Sequence, residues 1–153
     1  MARTDEADLL IDASSARVFT ALLDPDALVR WLPPGGMTGR MERFEPRPGG
    51  RYRMILRYDD PAAEEGKSGG GEDVVEATFV EIEQGERVIQ DVEFASDDPA
   101  FGGVMRMSWL VTAEGDRARV TIRAENVPEG VSEQDHLTGL RSSLQNLSAL
   151  VGR

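Results

Sequence analysis

The 153 residues are 40% hydrophobic, enough for one domain, 1–153, that buries about 70% of the surface its unfolded chain exposes. With 28 Asp and Glu against 17 Lys and Arg, the formal net charge of −11 argues against long-range attraction to nucleic acid or an anionic membrane. Cysteine is absent, which excludes disulfides, thiolate catalysis and Cys-ligated metal; with one His, a tight zinc site is not expected either.

In chain order, residues 7–13 read as a short strand with Leu9 and Ile11 on one face. Ser14 or Ser15 caps a helix that carries Val18, Phe19, Leu22 and Leu23. Asp24-Pro25 stops it and restarts a second helix, Asp24 as N-cap and Pro25 at the first helical position, with Leu28, Trp31 and Leu32 on its apolar side. Pro33-Pro34-Gly35-Gly36 imposes an irregular loop. From there to Val127 the pattern is strand, turn, strand. Residues 39–45 lead into the Pro48-Gly49-Gly50 turn, and 51–58 alternate, with Tyr52, Met54, Leu56 and Tyr58 on one face and Arg51, Arg53 and Arg57 on the other. A Gly-, Glu- and Ser-rich stretch over 59–73 reads as a mobile loop. Strands follow at 74–83 and 87–95 around Gln84-Gly85, then at 104–113 and 117–126 around Glu114-Gly115-Asp116. Gln90 shares the inward register with Val88, Val92 and Phe94, and Met105, Met107, Trp109 and Val111 fall together.

The last segment is a long helix, 132–151. Ser132 is its N-cap with Asp135 three residues on, and Leu137, Leu140, Leu144, Leu147 and Val151 form a stripe roughly 80° wide at about 100° per residue. Gly152 reads as the residue that ends it. The layout is therefore α+β: strand, two helices, a meander of about six strands, then one helix long enough to cover the apolar face of an antiparallel sheet. The opposite face carries Arg51, Arg53, Arg57, Asp91, Glu93, Arg106, Arg117, Arg119 and Arg123, with Glu76, and reads as a solvated surface whose charges pair across neighbouring strands.

Several of these stretches, in this order, resemble a known family. They are Ile11-Asp12-Ala13 followed by Val18-Phe19, Leu22 with Asp24-Pro25, and Trp31; Arg47-Pro48-Gly49-Gly50-Arg51-Tyr52; Val80-Glu81-Ile82-Glu83 through Glu86-Arg87-Val88; and His136-Leu137-Thr138-Gly139-Leu140 with Ser143-Leu144 and Leu147. Together they look like the START-like helix-grip superfamily, in the branch named after the C-terminal domain of the activator of the Hsp90 ATPase. The resemblance runs over about 7–151. It departs at Leu140, where many members carry Trp after the Gly, a change that bears on pocket depth. It implies a curved antiparallel sheet of six or seven strands gripping the last helix, with an elongated cavity between them. That fold serves lipid carriers, receptors, cyclase subunits, small hydrolases and stress proteins, so function has to be argued from the residues.

The cavity implied is lined by Trp31, Tyr52, Met54, Tyr58, Phe79, Met105, Met107, Trp109 and Leu140, with Gln90 as a buried hydrogen-bond partner. Met adapts to varied ligand shapes, and Tyr and Trp add polar handles; the same residues also make an ordinary close-packed core. His136 and Ser143 lie at one edge of the helix stripe, beside Gly139, whose missing side chain leaves room for a ligand or a strand. His136 reads as a general acid/base or ligand donor, or else as a first-turn residue bonded to a loop or to water. A Ser–His nucleophile pair within this helix fails, because seven residues of rise separate the two Cα atoms by about 10 Å.

Gly66-Lys67-Ser68 lacks the surroundings of a phosphate loop, and Asp59-Asp60 and Asp97-Asp98 lack calcium-loop spacing. No cofactor or metal is expected. No signal-like segment is read at the N-terminus, and cytoplasmic residence is the expectation. The leading function is binding of a small hydrophobic or aromatic molecule between sheet and helix. The alternatives are a cyclase, dehydratase or hydrolase that uses His136, and a chaperone-linked interaction protein. The expected partner is the small hydrophobic ligand, without nucleic acid or membrane, and with a homodimer left open.

Overall fold

In the computed structural model, which describes residues 3–59 and 72–153, seven antiparallel strands form one open sheet. The strands are β1 (Arg3–Ile11), β2 (Met37–Phe44), β3 (Arg51–Tyr58), β4 (Glu72–Glu83), β5 (Arg87–Phe94), β6 (Met105–Glu114) and β7 (Arg117–Val127), in the spatial order β1-β7-β6-β5-β4-β3-β2. The helices are α1 (Ser15–Leu22), α2 (Pro25–Trp31) and α3 (Glu133–Val151). The chain thus runs strand, helix pair, six-stranded meander, covering helix. The loop expected between β3 and β4 falls mostly on 60–71, outside the described residues.

Local chemistry accounts for the boundaries. Ser14 Oγ accepts from the Arg17 amide and starts α1; Asp24 accepts from the Asp26 amide, with Pro25 next, and starts α2. Ser132 Oγ accepts from the Asp135 amide at 3.1 Å and starts α3. The end of α3 differs from a left-handed glycine cap: Gly152 is extended, at φ −66°. Glycine is needed there for space, since a Cβ would stand 2.5 Å from the Ser148 carbonyl oxygen. At the turn into β3, a Cβ on Gly50 would stand 2.2 Å from the Glu45 carbonyl oxygen, so that turn too closes only on glycine.

Register irregularities between Met41 and Arg43 and between Phe79 and Glu81 bend the sheet around its cover. The inner face supplies Tyr52, Met54, Ala77, Phe79, Val88, Val92, Met105, Met107, Trp109, Val120 and Ile122 to one buried core. From above, α1, α2 and α3 add Phe19, Leu22, Leu28, Trp31, Leu144, Leu147 and Val151. Trp31 meets Trp109 edge-to-face with centroids 5.2 Å apart, and its indole N–H donates to the Ala21 carbonyl at 3.0 Å.

The outer face is a lattice of lateral ion pairs. Arg53 reaches Glu42 on β2 and Glu76 on β4; Arg106 holds Asp91 at 2.9 Å; Arg119 holds Asp8 and Glu114, each at 2.7 Å; Arg123 holds Glu6 at 3.0 Å. All are solvent-exposed pairs, which hold register and solubility more than stability. No helix among the described residues is long and apolar enough to cross a membrane.

Candidate functional site

The grip is closed at one end and open at the other. At the closed end, Leu144, Leu147 and Val151 of α3 are buried with Ile11, Val18, Phe19 and Leu22. At the open end a cavity of about 680 Å³ lies between the first turns of α3, the loop after α2, and the ends of β3, β4 and β5. That volume falls within the usual range of small-molecule sites. Its walls are apolar over Met37, Leu56, Phe94, Phe101 and Val131, with Pro34 and Gly139 at the rim and Tyr58, Asp73, Asp135 and His136 as polar groups.

Three segments distant in sequence position this end. The loop after α2 is tied to α3: Ser143 Oγ donates to the Leu32 carbonyl at 2.6 Å, Asn146 Nδ2 to the Pro33 carbonyl at 3.0 Å, and the Gly35 amide to Ser142 Oγ at 2.8 Å. The turn Pro99–Phe101 is held against the segment before α3 by the Gly130 amide on the Ala100 carbonyl at 2.7 Å. The third tie is ionic. His136 Nδ1 lies 2.7 Å from Asp5 Oδ2, and Arg3 grips both Asp5 oxygens at 2.9 Å while donating to the Val131 carbonyl at 2.7 Å.

Asp5 is almost fully buried. Burial pushes its carboxyl pKa up, but the hydrogen bonds from Arg3 and His136 outweigh burial and hold it below the ordinary value. A carboxylate on Nδ1 fixes the imidazole's orientation, and the same ring forms part of the cavity wall. Asp73, also buried, opens the inward register of β4 that continues through Val75, Ala77 and Phe79.

Of the residues expected to line a ligand site, Tyr58 and His136 stand on this cavity. The other ten, Trp31, Tyr52, Met54, Phe79, Gln90, Met105, Met107, Trp109, Leu140 and Ser143, are buried between sheet and helices beyond it. Burial pushes the Tyr52 phenol well above its ordinary value. Ser143 anchors the loop after α2, while its neighbour Ser142 lines the cavity and Gly139 faces Pro34. Sequence reasoning missed Asp5, Asp73 and Phe101. The signal available was a carboxylate at an inward position of an alternating strand, two residues before Ala7 and two before Val75.

A second hollow, about 580 Å³, lies on the outer face among Arg43, Arg51, Arg53, Glu76, Asp91 and Glu93. Its charges are of both signs and it lacks apolar walls like those of the first, so it offers no comparable ligand site.

A curved antiparallel sheet closed by one long C-terminal helix, with a pocket where the two part, defines a helix-grip protein. Residues 12–152 match the family described as Activator of Hsp90 ATPase homolog 1-like protein, and the chain belongs to that family. Among solved structures it is similar to a Chromobacterium violaceum protein at 28% identity, with a TM-score of 0.86 over 98% of this chain and 97% of that one. An Arthrobacter aurescens protein follows at 22% identity, TM-score 0.81, covering 97% and 85%. A Mycobacterium smegmatis protein at 17% identity and TM-score 0.73, covering 97% and 90%, shares the fold. No curated protein matches the chain.

Proposed function

We propose that the chain binds a small hydrophobic or aromatic molecule at the open end of the grip, between the sheet and α3. The observation that supports this reading is the combination in one cavity of apolar walls (Leu56, Phe94, Phe101) with a few convergent polar groups (Tyr58, Asp73, His136). Burying the ligand's apolar surface supplies most of the affinity, at about 25 cal/mol per Å² before the losses of association. The test uses N-phenyl-1-naphthylamine, a neutral dye that brightens in apolar surroundings. It is expected to bind the native protein one-to-one, and Gly139→Trp, which fills the rim opposite Pro34, is expected to abolish binding while leaving the fold intact. Undiminished binding to that variant would place the dye elsewhere and sink the proposal.

One observation favours a second reading, acid–base catalysis on the bound molecule. His136 is held by a buried carboxylate and stands on the cavity wall, the arrangement that orients an imidazole for proton transfer. His136→Ala separates the two readings. A binder keeps most of its dye affinity and shows no turnover in either form. An enzyme keeps affinity and loses about 10²–10⁴-fold in turnover, measured over a panel of cyclic ketones and esters.

A further inference from the structure

The interior beyond the cavity contains an unpaid hydrogen-bonding demand. Among the described residues, three buried side-chain polar atoms meet no hydrogen-bond partner: Nε2 and Oε1 of Gln90, and Nε1 of Trp109. Gln90 is 0% exposed and Trp109 1%. Both stand on the inner face of adjacent strands, since Gln90 pairs with Met107 and Val88 with Trp109, so the two are diagonal neighbours about 7–8 Å apart and within reach of a common atom. A buried amide with neither end satisfied opposes folding, and native proteins seldom retain one.

The unmet set has a definite composition: one acceptor and two donor groups. A single hydroxyl supplies the complement, one O–H donor and two acceptor lone pairs. A charged head does not suit the place, because the inward neighbours of Gln90 are Phe79, Met107, Val88 and Val92, and an ion buried among them stays uncompensated. One strand joins the cavity to this place. Phe94, on the cavity wall, is four residues from Gln90 along the inner side of β5, or about 13 Å at strand rise. Val92 floors the stretch between them, with Ala77 beside it on β4 and Met105 on β6. A small residue on one side and a flexible thioether on the other make this the part of the core that yields most readily to a guest.

We infer that the ligand is a neutral, elongated apolar molecule bearing one terminal hydroxyl, which enters at the cavity and places that hydroxyl between Gln90 and Trp109. The inference rests on the ligand-binding reading above and narrows it to a chemical class. Gln90 is then the residue that sets specificity.

The experiment compares 4-phenylphenol with its apolar match 4-methylbiphenyl, by calorimetry and by ¹⁵N–¹H spectra of the side chains. Wild type is expected to prefer the phenol by roughly tenfold, the scale of one net hydrogen bond. The Gln90 amide and Trp109 indole signals should shift with the phenol and much less with the methyl compound, while the Trp31 indole, already bonded to Ala21, serves as the internal reference. Gln90→Met is expected to erase the preference, keep the affinity for 4-methylbiphenyl, and melt no lower than wild type. Equal affinity of wild type for both compounds overturns the inference and leaves ligand binding standing. Binding of neither overturns both. A Gln90→Met variant that melts markedly lower or fails to fold, together with wild-type amide signals that ignore the phenol, means that a resident water satisfies the amide, and the inference falls.

Discussion

The two halves of α3 meet different surroundings. From Leu140 onward the helix presents Leu144, Leu147 and Val151 to α1, α2 and β1, all of them nearly or fully buried. Its first two turns present His136, Thr138 and Gly139 to a cavity, and are fixed by Asp5 and by the Ser132 cap. The later turns are sealed by apolar contact and, on their flank, hold the loop after α2 through Ser142, Ser143 and Asn146, whereas the first turns rest on directed polar bonds. The difference shows how a single helix both seals a core and leaves an opening: apolar packing tolerates no gap, whereas a few hydrogen bonds hold backbone in place around one.

The sharpest way to break this contrast is at the sealed half. Leu147→Ala should destabilise the protein by about 2–5 kcal/mol in urea unfolding, as should Leu144→Ala, because each removes a fully buried side chain and leaves a hole. Unchanged midpoints would mean that α3 is not the cover.

Asp5→Asn probes the open half and should lose about 1–3 kcal/mol, since it weakens bonds to both Arg3 and His136 at a buried position. The loss should depend on pH. Asp5 titrates below its unfolded value near 3.9, so its contribution is fully present above that pH and disappears as pH falls through the lower folded value. Wild type and variant should therefore converge in stability in acid. A gap that stays constant down to pH 2 would show that the carboxylate's charge plays no part.

Ser143→Ala removes the hydroxyl that holds the Leu32 carbonyl, and should lose about 0.5–1.5 kcal/mol while loosening the cavity rim. Faster exchange confined to the Leu32, Gly35 and Gly36 amides would confirm the local effect. Arg53→Ala, on the outer face, should change stability least of the set, because its partners Glu42 and Glu76 remain hydrated. A midpoint shift as large as that of Asp5→Asn would mean that the outer lattice carries more of the fold than exposed pairs ordinarily do.

Much of the architecture was legible in advance because it follows from short-range rules. The alternation of Tyr52, Met54 and Leu56 against Arg51 and Arg53 placed β3 at its observed bounds, and Ser132, Asp24 and Pro25 marked helix starts that the structure retains. β1 was harder to read. Asp5 stands among polar residues, yet it continues the inward register of Ala7 and, gripped by Arg3 from across a register shift, becomes the buried anchor of α3.

What the sequence alone determined, then, was the period of each segment and hence which face of it turns inward, since that depends only on neighbours two to four positions away. Tertiary structure alone decided that Asp5 meets His136 across 131 positions, that Ser143 serves the loop after α2, and that Gln90 and Trp109 have polar atoms unmatched among the described residues. Hydrogen bonds act over about 3 Å, and a periodic pattern carries no record of which distant atom will come within that distance.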